Sequence, residues 1–246
     1  AAWRKGVRFV SSESRNGDDR DPAALREHRA LRRTEPMRFD DHPEWHRLSQ
    51  AVRRQVEACV ELDADNERLA ELADQADALA TALESLAHGK RVGLVEHGWT
   101  GAGPQMSYLP FSPIMGRLNP ASYALEIHRE GEQAVGTVTL GETAEGAVGL
   151  AHGGVLSGIW DEVLAAANAI HRTGGPTGRL TIHYRRPTPL YEKLRFEAWV
   201  DRIEERKVLV HGRCVIDGQD ETLTEADGLF VRMREPGIDW NKRGRD

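Results

Sequence analysis

Apolar residues along this chain follow three regimes, and each predicts a different kind of element. Over residues 1–40 almost nothing is periodic: arginines alternate with Ser11, Ser12, Asn16, Gly17 and several aspartates, which predicts a mobile polar tail. From Asp41 the spacing becomes helical. Asp41-His42-Pro43-Glu44 has the form of a capped start, with Asp41 as N-cap and Glu44 at the capping-box position. Trp45, Leu48, Val52 and Val56 share one face, and Leu69, Leu72, Ala76, Leu79, Leu83 and Leu86 alternate steps of three and four. Asp63, Asp65 and Asn66 divide this 41–89 extension into two helices, and Gly89 supplies a stop. The leucine seam suits packing on its own domain or a helix–helix contact between subunits, and the alanines around it favour the first.

Residues 90–109 are glycine-punctuated and predict a linker, after which the period drops to two. Strands are expected at 123–129 and 134–140, joined at Gly131. A helix follows over 153–171, apolar nearly all round through Val155, Leu156, Ile159, Trp160, Val163, Leu164 and Ile170, which predicts enclosure by other structure. Gly174-Gly175-Pro176 ends it, and strands are expected at 179–186, 193–202, 207–216 and 221–233. Two strands, one enclosed helix and a run of strands make an α+β domain over 110–235, followed by a short tail at 236–246.

Within the enclosed helix, Asp161 stands amid Trp160, Val163, Leu164 and Ala165, nine positions after His152-Gly153-Gly154. An aspartate in such company is expected to be buried, and an unpaired buried carboxylate is costly, so a functional role is expected of it. Gly153 begins the helix, where unpaired N–H groups and the positive dipole end favour a developing oxyanion and the missing side chain permits close approach. An ionised Asp161 can attack a polarised carbonyl directly or deprotonate a water; the residues leave both open. Composition narrows the classes around this chemistry. With 39% hydrophobic residues the chain can build a core, and a net charge of −6 argues against a broad nucleic-acid footprint. Cys59 and Cys214, far apart, form neither a disulfide framework nor a C-x-x-C site, which fits a cytoplasmic setting. No apolar run reaches membrane length and the start carries no apolar leader. No metal or cofactor is expected: His42 and His46 lack a third ligand, and Gly101-Ala102-Gly103 reads as a hinge. Ile159, Trp160 and the apolar strand faces are candidates to line either a tunnel for a fatty chain or a slot for an aromatic ring.

Glu145-Gly146-Ala147-Val148-Gly149-Leu150-Ala151-His152-Gly153-Gly154, then Asp161, then Tyr184-Arg185-Arg186-Pro187, resembles the hotdog-fold thioesterases, specifically the PaaI-type branch of the 4-hydroxybenzoyl-CoA thioesterase superfamily. The resemblance implies an antiparallel sheet wrapped around a central helix, acyl-CoA as substrate, and a homodimer joined sheet edge to sheet edge, with further pairing to a homotetramer left open. It also implies that Asp161 of one subunit serves Gly153 of the other. His152 is then expected to brace the turn, Thr177 to position water or the carboxylate, and Gly154, Tyr184, Arg185, Arg186, Pro187, Arg206 and Lys207 to contact substrate and its coenzyme A portion. Gly146 departs from one branch of the family, which carries an asparagine near that position. A non-catalytic acyl-CoA-binding or regulatory module is the alternative class, and a hydratase a third reading within the fold.

Overall fold

A computed structural model describes residues 43–87, 111–171 and 175–232. The expected tail, the Asp41 cap, the Gly89 stop, the linker with its glycine hinge and the C-terminal tail lie outside the described residues. The two helices of the extension are α1 (Pro43–Cys59) and α2 (Asn66–Leu86). Next come β1 (Glu126–Glu130), β2 (Gln133–Thr139), a 3-10 turn at Glu142–Ala144, and the central helix α3 (Gly153–Ile170). The last four strands are β3 (Thr177–Tyr184), β4 (Lys193–Glu204), β5 (Lys207–Ile216) and β6 (Thr224–Val231).

All six strands join in one antiparallel sheet of order β1-β2-β4-β5-β6-β3. The chain after α3 enters at the far edge, so β3 pairs with β6 alone while β4 returns beside β2. Alternate residues of the inner strands face α3: Leu194, Phe196 and Ala198 of β4, and Val208 and Val210 of β5, are fully or almost fully buried. Trp160 anchors the helix in the concave sheet. Its ring meets Phe196 edge-on at 5.0 Å and its indole N–H donates to the Thr224 hydroxyl at 3.0 Å. Two strand glycines permit this closeness, since a Cβ on Gly136 would lie 2.7 Å from Val163 and one on Gly212 2.6 Å from Trp160.

The sheet does not cover α3 alone. Residues 111–125, partly expected as strand, form an irregular strap across it: Ser112 donates to Glu162 at 2.7 Å, and Leu125 N–H reaches back to the Ile114 carbonyl. Ala124 takes a positive φ of 53°, which interrupts the strand expected from Tyr123 and delays β1 to Glu126. Helix α1 docks on this strap largely through polar groups. Ser49 Oγ donates to the Leu118 carbonyl, and Arg53 donates to the carbonyls of Asn119 and Ser122, each at 2.9 Å. The face it presents is therefore Trp45, Ser49, Val52 and Arg53, whereas Leu48 and Val56 of the expected apolar face are exposed.

Helix α2 departs further from expectation. Asp65 caps it, accepting from Arg68 N–H at 2.8 Å. None of its residues is buried: Leu69, Leu72 and Leu79 are half-buried and Leu83 and Leu86 exposed, so no part of the leucine seam enters the core of the sheet domain. Periodicity identified the apolar stripe; it carried no information about what the stripe meets. Among the described residues no helix is long and apolar enough to cross a membrane.

Candidate active site

The glycine-rich run before α3 is a folded clasp. Glu145 and Ala151 form a bridge, the Glu145 carboxylate accepts from Gly149 N–H at 2.7 Å, and Gly146 N–H donates to the Leu150 carbonyl at 2.9 Å. Gly149 supplies the positive φ of 73° that closes the turn. A Cβ on Gly146 would lie 2.8 Å from His152 Cα, so this position admits no side chain. The departure at Gly146 is therefore steric: the clasp presses its backbone against His152, and an asparagine cannot occupy it in this geometry.

His152 is the N-cap of α3, and its Nδ1 accepts from Gly154 N–H at 2.9 Å. An accepting Nδ1 places the proton of the neutral ring on Nε2, leaving the imidazole a donor toward the outside and unable to act as a base there. The same bond takes up the Gly154 N–H. Gly153, as the first helical residue, keeps an N–H with no acceptor one turn back, at the positive end of α3. Its carbonyl is held from the other side: Tyr184 Oη and Ser157 Oγ each donate to it at 2.8 Å. Ser157 was not singled out from sequence, because a serine one turn into a helix carries no mark of a tertiary contact.

A cleft of about 340 Å³ opens beside this turn, lined by Leu150, Leu156, Tyr184, Arg185, Arg186 and Pro187 among others. Ile159 and Trp160 do not line it. Both are fully buried in the sheet-facing core, which corrects the expectation that they shape an acyl tunnel. Arg185 is paired with Glu225 and Arg186 with Glu221, at 2.8 and 2.7 Å, with both arginine side chains more than half exposed. Such pairs are weak in water and leave both arginines able to turn toward an anionic ligand.

Asp161 sits elsewhere. Eight residues beyond Gly153 on a helix rising 1.5 Å per residue, it is about 12 Å along α3 from that N–H. It is exposed, not buried, which overturns the desolvation argument for its importance: within the chain it bears no burial cost. Exposure is nevertheless informative. Asp161 and Gly154 are the two exposed positions of α3, so the carboxylate is at an opening in an otherwise covered helix. Thr177, the first residue of the edge strand β3, donates its hydroxyl to Asp161 Oδ1 at 2.9 Å.

The candidate residues therefore separate into two groups at opposite ends of β3. Tyr184 at its end lies with Gly153, Arg185 and Arg186, while Thr177 at its start lies with Asp161. Seven steps of about 3.3 Å separate Thr177 from Tyr184, about 23 Å. Arg206 and Lys207 belong to the Thr177 end: Lys207 is in register with Val231, Arg206 donates to the Arg232 carbonyl at 3.0 Å, and Thr177 pairs with Phe230. One chain thus does not gather the four expected basic residues around one ligand. No group of side chains among the described residues could hold a metal ion.

Comparison with known proteins bears on this divided site. Residues 148–223 match the family model described as the thioesterase superfamily. The crystal structure of a thioesterase superfamily protein is 31% identical, with a TM-score of 0.66, over 76% of this chain and 90% of that one. This likeness reaches beyond the sheet domain into the helical extension. The acyl-coenzyme A thioesterase THEM4 of Xenopus laevis is 34% identical over 96 residues, 38% of this chain and 42% of that protein. The mouse (Mus musculus) protein of the same name is 33% identical over 113 residues, 45% of this chain and 48% of its own length. The chain thus spans less than half the length of these curated relatives.

Proposed function

The chain belongs to the thioesterase superfamily, with the hotdog arrangement of one sheet around a central helix, and from that premise we propose that it hydrolyses acyl-CoA thioesters at sites completed by two subunits. The observation that carries this reading is the separation within one chain of two complementary half-sites. Gly153 offers a main-chain donor beside a cleft flanked by arginines, and Asp161 offers a carboxylate held by Thr177, about 12 Å away along the same helix. Neither half performs acyl transfer alone.

Antiparallel pairing of β3 with the β3 of a second copy would resolve the separation, because it sets the start of one edge strand beside the end of the other. Asp161 and Thr177 of one subunit then approach Gly153, Tyr184 and the cleft of its partner. Arg206 and Lys207 arrive with them, adding cations to Arg185 and Arg186 where the phosphates of coenzyme A would rest. The thioester carbonyl accepts from Gly153 N–H, which stabilises the negative charge that grows on its oxygen. Asp161 either attacks the carbonyl itself, giving an acyl-enzyme anhydride that water then hydrolyses, or takes a proton from a water whose oxygen attacks; on both routes the C–S bond breaks and the coenzyme A thiolate leaves. His152, with its proton on Nε2 and its Nδ1 occupied, caps the helix and donates toward the substrate.

Release of free thiol from short, medium, long and aromatic CoA esters tests the proposal, run beside Asp161→Ala. Turnover of at least one ester by the native chain, falling by at least a hundredfold, about 3 kcal/mol of transition-state stabilisation, in a folded Asp161→Ala variant, is the expected outcome. Tight ester binding with no thiol release from any of them would instead identify a binding module.

A further inference from the structure

We propose that α2 pairs, antiparallel, with the α2 of a second copy of this chain. Its seam of Leu69, Leu72, Ala76, Leu79, Leu83 and Leu86 follows a strict three-four repeat, the pattern that two helices use to interlock. Yet among the described residues it enters no core: no α2 residue is buried, Leu69, Leu72 and Leu79 are half-buried, and Leu83 and Leu86 are 36% and 73% exposed. A leucine stripe left partly exposed on a capped helix marks an interaction surface.

Charge selects the occupant. The positions flanking the seam are Ala73, Ala80 and Ala87 on one side and Arg68, Gln75 and Ala82 on the other, and Arg68 is already paired with Glu71 at 2.6 Å. The carboxylates of Glu67, Glu71, Asp74, Asp77 and Glu84 all fall on the remaining, outward positions. A basic partner helix would find no carboxylate beside the seam to recognise, whereas a second copy of this acidic helix meets no like charge there. Alanines on one flank let two backbones approach closely.

Size selects the direction. The seam reads the same from either end, so an antiparallel pair sets Leu69 opposite the second copy's Leu86, Leu72 opposite its Leu83 and Ala76 opposite its Leu79. Large then faces small at the centre and the helix dipoles oppose. A parallel pair would set Ala76 against Ala76 and leave a void in the middle layer. The seam spans about 26 Å, too short to hold free helices together in water, so it acts as a contact between whole chains. This inference is independent of the hydrolytic reading.

Cross-linking of the full chain decides it. In a Cys59→Ser background, Cys214 being fully buried and unreactive, the double substitution Ala76→Cys/Leu79→Cys is oxidised and run without reductant. A covalent dimer is expected from this pair, little from Ala76→Cys alone, none from the outward Glu84→Cys, and loss of the dimer when Leu72→Glu is added. No covalent dimer from the pair, or an equal yield from Glu84→Cys, overturns the self-pairing. An equal yield from Ala76→Cys alone overturns the antiparallel direction. None of these positions is buried, so helix content by circular dichroism is expected to match the parent and shows that each variant is folded.

Discussion

Substitution at Gly146 probes the link between the clasp and the site at a position where the structure fixes the cost. A Cβ there would sit 2.8 Å from His152 Cα, 3.2 Å from its Cβ and 3.3 Å from its amide N, against ordinary carbon contacts of about 3.5–4.0 Å. The atoms in the way belong to the backbone of the helix cap, which is itself fixed by His152 N–H donating to Ala144 at 2.7 Å, so they cannot swing aside as a side-chain tip would. Gly146→Ala must therefore push the clasp and His152 apart by roughly an ångström, an overpacking expected to cost about 1–3 kcal/mol. Urea denaturation should show that loss as a lower midpoint with unchanged slope, and thiol release should fall as well, because the same shift disturbs the Gly153 turn. Gly146→Asn, which restores the residue type of the resembling branch, should be at least as damaging. Unchanged stability in Gly146→Ala, or faster turnover in Gly146→Asn, would refute the steric reading of this glycine.

Two further perturbations follow from the packing around α3 and the cleft. Thr188 is 4% exposed and its Oγ1 has no hydrogen-bond partner among the described residues, so Thr188→Val, which keeps the shape and removes the hydroxyl, should stabilise the protein by about 1 kcal/mol; a comparable loss in thermal denaturation would show that the hydroxyl is bonded after all. Burial raises the Glu162 carboxyl above its ordinary range, partly opposed by the Ser112 hydroxyl and reinforced by nearby Asp161. A carboxyl with a raised folded value stabilises the fold fully below its unfolded pKa of about 4.3 and loses that contribution as pH rises through the folded value. Glu162→Gln, which still accepts from Ser112 and does not ionise, should therefore gain stability relative to the parent between pH 4 and pH 8. A difference that is constant or shrinks over that range contradicts the sign.

Much of the fold was legible because the core obeys simple periods. The two-residue alternation of β2, β4 and β5 and the nearly continuous apolar surface of α3 report burial directly, and the edges of those elements fall within a few residues of expectation. Legibility failed where tertiary partners decide. The strap over 111–125 is held by Ser112, Ser122 and Asn119, whose side chains bond the backbone and leave no periodic trace. Leu48 and Val56 are exposed because Ser49 and Arg53 dock α1, a preference no hydrophobic pattern contains. At the site, the chemistry-bearing residues stood out through their motifs, yet sequence could not show that Arg206 and Lys207 lie about 23 Å along the sheet from Arg185, or that Asp161 is exposed. Asp161 drew notice for a burial it does not have; what distinguishes it is an opening in the cover of α3 and a hydroxyl from the edge strand.

Subunit complementation tests the two-chain site most directly. Asp161→Asn removes the carboxylate's charge, and Gly153→Pro removes the main-chain donor at a place that accepts proline: the first helical position, preceded by His152 at φ −65° and ψ 131°. Each variant alone should be inactive. Mixed, unfolded and refolded together in equal amounts, they should recover about a quarter of native thiol release, since half the dimers are mixed and each mixed dimer has one intact site. Mixed dimers that form yet stay inactive would contradict a site shared between chains.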